Sequence, residues 1–182
     1  MKYLVGLLLL TASVVFAAGF SPGENLISSF TPEHRMYRDY QPYEKSDASS
    51  RSYLWVSQEF GNDDTYKLDI KLGLGSADLS RLQEILNKPG IDQCKDFTSA
   101  DLGKGQSNGY PQLTWETTCD TGSKKIRVLH KAIAGNDSMY LARKFWYREA
   151  TASAVREWKE LFQQTYLCDT RKAEHPCPEG YK

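Results

Sequence analysis

Residues 66–72, "YKLDIKL", alternate Tyr66, Leu68, Ile70 and Leu72 with Lys67, Asp69 and Lys71. Successive side chains of an extended chain point to opposite faces, so this is a strand with one face buried and one wet. The run before it, "SYLWVSQEF" (52–60), is rich in β-branched and aromatic residues. "GNDD" (61–64) joins the two, which predicts an antiparallel hairpin.

Outward from that hairpin the period changes. In "SADLSRLQEILNKPG" (76–90), Leu79, Leu82, Ile85 and Leu86 recur at helical spacing behind a Ser76 or Asp78 cap, and Pro89-Gly90 is expected to stop the helix. "SADLGKGQSNGYP" (99–111) has no apolar period and reads as a long, mobile loop. Strand spacing returns in "PQLTWETTC" (111–119). A second hairpin follows, "KKIRVLHKAI" (124–133) and "SMYLARKFWY" (138–147) joined by "AGND". In its first strand Ile126, Val128, His130 and Ala132 share one face and Leu129 and Ile133 the other, so both faces carry apolar load. Last, "TASAVREWKELFQQTYL" (151–167) places Val155, Trp158, Leu161, Phe162 and Thr165 on one stripe behind a Thr151 or Ser153 cap. Strands joined by short turns with helices set apart predict an α+β domain, an antiparallel sheet of about five strands with two helices packed on one face.

The expected organisation is a signal peptide over 1–18, an irregular arm over 19–51 and a single domain over 52–182. The opening has one cation, Lys2, an apolar run from Tyr3 to Leu10, and small residues ending at Ala17 and Ala18, the layout of a secretory leader. Removing it leaves 22 basic against 23 acidic residues. That balance leaves no field of one sign to steer nucleic acid or anionic lipid, and Lys124-Lys125 is too short a cluster to change it. The arm is turn-rich. A short helix is expected near "EHRMYRDY", with Thr31 as cap and Pro32 in its first position. Tyr37, Tyr40 and Tyr43 recur every third residue and are candidates for a binding stripe, or for the aromatics that lay the arm on the domain.

Four cysteines in an exported chain are expected to pair, Cys94 with Cys119 and Cys168 with Cys177. Zinc at the tail would draw on Cys168, His175 and Cys177, with Asp169 as a further candidate ligand, but the C-x6-H-x-C spacing lacks the paired ligands of structural zinc sites, so no metal is expected there. The "GLG" at 73–75 before a helix lacks the third glycine of a dinucleotide fingerprint and reads as a tight turn. Asp63 and Asp64 lack the ladder of oxygens that calcium requires. Asn136 opens the sequon "NDS". No cofactor motif is present in the sequence.

These features point to a non-enzymatic exported protein, periplasmic or secreted, that binds another protein or an envelope component, as an inhibitor or immunity-type protein would, with no transmembrane span once the leader is cleaved. The alternative is a small secreted hydrolase with His130 as base and Glu116, Glu157 or Asp137 as orienting carboxylates. A carrier for a small apolar ligand between sheet and helix is a further alternative.

Overall fold

A computed structural model describes residues 23–179. The expected signal peptide lies outside the described residues. In chain order the elements are β1 (Glu24–Ile27), a 3-10 turn (Arg35–Asp39), β2 (Tyr40–Ser46), β3 (Ser50–Ser57), β4 (Gly61–Leu72), α1 (Leu79–Gln93), β5 (Asp96–Ser107), β6 (Tyr110–Asp120), β7 (Lys125–Ala134), β8 (Ser138–Trp146), α2 (Ala152–Gln164) and β9 (Tyr166–Asp169). The architecture is α+β. The strands form a seven-stranded sheet in the order β2-β3-β4-β8-β7-β6-β5 and a two-stranded sheet of β1 with β9, with antiparallel pairing throughout.

The main sheet is therefore larger than the five strands expected, because two segments without an apolar period are edge strands. β2 occupies the end of the supposed arm, and its side chains beyond Tyr40 are exposed. β5 replaces the supposed loop and pairs with β6 from Asp96↔Asp120 to Ser107↔Tyr110, with a bulge between Asp101 and Gly103. An edge strand wetted on both faces leaves no alternation to read. Its turn did leave a signal: Asn108 and Gly109 have φ values of 50° and 81°, the left-handed pair that a two-residue hairpin loop needs and that Asn-Gly supplies. The first hairpin is present, but its turn lies over 58–60, and Gly61–Asp64 belong to β4. The helix expected near "EHRMYRDY" is the short 3-10 turn, capped by His34 rather than Thr31.

α1 runs through Pro89 and Gly90 to Gln93. Asp78 caps its start, accepting from the Ser80 and Arg81 amides. Gly90 lets the Phe97 ring lie against the helix, since a Cβ there would come within 2.3 Å of that ring. Cys94 then ties the helix end to the end of β6 through Cys119. Thr151 caps α2. At the other end of α2, the buried Lys131 Nζ donates to the Phe162 carbonyl at 2.7 Å and to the Thr165 carbonyl. A cation there meets the negative end of the helix dipole and adds a second donor to the Phe162 carbonyl, which also accepts from the Thr165 amide.

The two helices lie on opposite faces of the sheet, which corrects the single-face expectation. Leu79, Leu82 and Leu86 of α1 pack with Leu113, Trp115, Ala132, Ala134, Met139 and Leu141. Val155, Trp158, Leu161 and Phe162 of α2 pack with Tyr66, Leu129, Ala142 and Trp146 on the other face. β7 and β8 are apolar on both sides, so each face needs a cover. On the α2 face, Phe30 sits with its ring centroid 5.0–5.7 Å from those of Tyr37, Tyr40, Trp55, Tyr66 and Trp158. The segment expected to be an irregular arm is in this way part of the core.

Candidate functional site

The expected Tyr37, Tyr40 and Tyr43 stripe is split by the switch from 3-10 turn to strand. Tyr37 packs against Phe30 and Trp55. Tyr40 is buried on the α2 face, whereas Tyr43, paired with Leu54, is on the opposite face and 54 % exposed. Of the three, Tyr43 is the most open to solvent; buried Tyr40 and partly buried Tyr37 fasten the chain to the core.

The hydrolase constellation is also split. His130 lies on the α1 face, stacked on Trp115 with centroids 4.4 Å apart, and its Nε2 is 3.0 Å from the Thr117 hydroxyl. Glu116 points to the α2 face, where it pairs with Arg127 (3.2 Å) and Lys159 (2.5 Å). Glu157 pairs with Arg35, and Asp137 with Arg171. Thus none of the expected carboxylates is the hydrogen-bond partner of His130. Burial, helped by the Arg143 charge, pushes the His130 imidazole down to about 3. The folded chain therefore keeps this ring neutral where an unfolded chain protonates it, below about pH 6.5. The unfolded state binds the extra proton, so stability is present above pH 6.5 and falls as pH drops towards 3, by about 1.4 kcal/mol per pH unit. His130→Phe, which keeps the stacked ring, is expected to flatten that acid limb in urea denaturation followed from pH 7 to 4. An unchanged slope would show that His130 is not the group responsible.

At the tail, Cys168 and Cys177 form a disulfide. His175 Nδ1 is 2.8 Å from the Asn108 carbonyl, and its ring lies over Tyr110 at 4.1 Å. A tight loop brings Gly75 against the β7–β8 turn, where a Cβ would fall 1.7 Å from the Asn136 carbonyl oxygen. That contact accounts for Gly75, and Gly73 has a φ of 73°, the left-handed region that favours glycine. Near the same turn, Glu24, Asp137 and Asp169 bring carboxylate oxygens within 4.8 Å of one another. Arg171 bridges Asp137 and Asp169, and Glu24 accepts from the Asn136, Asp137 and Ser138 amides, so these acids already have partners.

A buried polar knot was missed by sequence reasoning. Asp64 accepts from Tyr40 Oη at 2.6 Å, from Arg148 Nη2 at 2.9 Å and from Lys144 Nζ. Lys144 is fully buried, and its ammonium lies 4.8–5.1 Å from the ring centroids of Tyr40, Trp158 and Trp146. Burial pushes this lysine down to about 8, opposed by the Asp64 charge, while burial and the Asp64 contact push the Tyr40 phenol up. The signal was present in period-two form: Lys144 stands between Ala142 and Trp146, and Lys131 between Leu129 and Ile133, on apolar faces.

Besides a polar hollow of about 230 Å³ beside α2, lined by Gln112, Thr114, Lys131, Lys159 and Gln163, two open regions stand out among the described residues. One is a groove of about 410 Å³ at the ends of β5, β6 and β7, where Asp96, Asp120 and Glu149 are matched by Lys125, Arg127 and Arg148. The other is the α1 face beyond α1 itself. α1 rests against β5, β6 and β7, and at the other end of that face Tyr43 is exposed and Leu54, Val56 and Phe145 are half-buried. The Phe145 and Tyr147 rings stack there, 5.9 Å apart, and the Arg143 guanidinium lies 5.3 Å from the Phe145 ring centre. Between the two halves, His130 and Arg143 are cross-strand neighbours, and His130 Nδ1 and Arg143 Nε are buried with no hydrogen-bond partner among the described residues. Asp69 accepts from Ser52 Oγ (2.6 Å) and Arg143 (2.7 Å) and lies 3.0 Å from Lys67. Burial raises its pKa, but these three partners outweigh it and hold the carboxyl below the usual range. No protein-family model and no curated protein matches this chain.

Proposed function

We propose that the chain is a non-enzymatic exported binding protein of the bacterial envelope whose partner docks on the half of the α1 face that α1 leaves open. The observation that carries this reading is the uneven cover of a sheet with apolar residues on both faces. α2 and the Phe30 segment close one side, but on the other Tyr43, Leu54, Val56, Phe145 and Tyr147 stay in contact with water. Contiguous apolar surface on a folded chain is a common mark of a protein-contact site, since its removal from water favours association. The two disulfides suit an oxidising compartment, periplasmic or extracellular. Among the described residues no helix is long and apolar enough to cross a membrane.

The geometry favours this reading over its alternatives. His130 has a hydroxyl neighbour where a hydrolase would need a carboxylate. The space between sheet and β1 bounded by Leu26, Leu68, Ile133 and Tyr140 has no room for a water molecule, and the hollow of about 230 Å³ beside α2 is walled mainly by polar side chains, Gln112, Thr114, Lys131, Lys159 and Gln163, whereas sites for apolar ligands hold about 300 Å³ or more behind mostly apolar walls.

Site-specific photo-crosslinking tests the proposal. A benzophenone side chain at position 43 or 145 of the chain exported by its native cell is expected to give one discrete adduct. The same group at Ile85, exposed on α1, is expected to give none. Equal labelling from all three positions, or labelling from Ile85 alone, would sink it.

A further inference from the structure

The open half of the α1 face carries a charge that the whole chain does not. Lys45 from β2, Lys67 and Lys71 from β4 and Arg143 from β8 share this face with one acid, Asp69, by the strand registers. Four cations against one carboxylate leave a local excess of three, in a chain whose formal charge is zero. Asp69 is already engaged by Arg143 and Lys67. Lys45 and Lys71 form no ion pair among the described residues, and so hold their charge free towards solvent. Three acids stand at the rim. Asp63 lies 3.6 Å from Lys124, which offsets it, but Asp47, held as a carboxylate by the Ser49 and Ser50 amides and hydroxyls, and exposed Glu44 line the same hollow as Lys45 and Lys67 and lower the excess to one, with Lys45 and Lys71 still unpaired. Leu54 stands between Tyr43 and Lys67 across the strands, and Val56 lies in the next row, away from Lys45 and Lys71, with Thr65 between it and Phe145.

We propose that this half-face receives an acidic protein surface: partner carboxylates meet Lys45, Lys71 and the Lys67–Arg143 pair, and partner apolar side chains rest on Leu54, Val56, Tyr43 and Phe145. The inference rests on the binding reading above and adds the chemistry of the partner. A polyanion such as single-stranded nucleic acid would also meet the charge, but its bases stack on open ring faces, and here Phe145 and Tyr147 stack on one another while Tyr43 stands three strands away. Charge complementarity of this kind steers encounter and selects the partner, and salt screens it.

The test is selection of a displayed random-peptide library on the immobilised mature chain. Clones are then measured as free peptides against Tyr43→Asp and Lys45→Glu/Lys71→Glu, each variant first shown to keep the native circular dichroism spectrum. Peptides that Tyr43→Asp weakens are expected to be rich in Asp and Glu with interspersed Leu or aromatic residues. They should lose about tenfold in affinity on the double charge reversal, and a similar factor between about 50 and about 300 mM salt. Neutral or basic peptides that Tyr43→Asp weakens but charge reversal spares would overturn the acidic partner and leave the docking face standing. Peptides indifferent to both variants, or failure to select any that Tyr43→Asp weakens, would overturn the docking face as well. Tighter binding of oligothymidylate than of the acidic peptides would also overturn the inference.

Discussion

Asp64→Ala is expected to destabilise the chain by about 3–5 kcal/mol, because it strands Lys144 as an unpaired charge where water cannot reach it. The loss should be lopsided. Lys144→Met leaves Asp64 with the Tyr40 hydroxyl and the Arg148 guanidinium, so its cost should be much smaller. The double variant Asp64→Ala/Lys144→Met removes both charges and should recover most of the loss, since replacing a buried pair by apolar groups is often nearly neutral. Urea denaturation with the disulfides intact, followed by tryptophan fluorescence, measures all three. A cost below about 1 kcal/mol for Asp64→Ala, or no recovery in the double variant, would mean that Lys144 is not held in the ring cage as described.

Phe30→Ala should be comparably severe, about 3–5 kcal/mol, because the ring is central to a buried cluster and the cavity left by its loss is walled by other aromatic side chains. Its second consequence is local. Phe30 precedes the 3-10 turn and β2, so the variant should also open residues 31–46 to proteolysis under native conditions faster than the rest of the chain. Tyr43→Ala, three residues beyond buried Tyr40 but exposed on the other face, should change stability by less than about 0.5 kcal/mol. If Phe30→Ala behaved like Tyr43→Ala in both measurements, the first strands would not be fastened through Phe30.

The contrast between Tyr40 and Tyr43 shows how much of the candidate site was legible. Both sit in a turn-rich stretch at a spacing of three, and as a helix they would share a stripe. In a strand the same spacing puts them on opposite faces. The open half-face was partly readable, since Lys67, Asp69 and Lys71 were assigned to the wet side of their strand and stand on the α1 face. That this side stays open at one end of the sheet and is covered at the other depends on where α1 docks.

Several features were set by the sequence alone. Period-two runs marked β4, β6, β7 and β8, period-3.6 stripes marked α1 and α2, the pairs Ser76 or Asp78 and Thr151 or Ser153 bracketed their starts, which the structure gives to Asp78 and Thr151, and cysteine order marked both disulfides. All of these report local geometry or short closures, which nearby residues determine. Tertiary structure decided the rest: the opposite faces taken by the helices, the recruitment of β2 and β5 as edges, and the burial of Lys144 against Asp64, 80 residues away. Strands with apolar residues on both faces accept a helix on either one, and an exposed edge strand carries its hydrogen bonds in the backbone, where side-chain pattern leaves no mark.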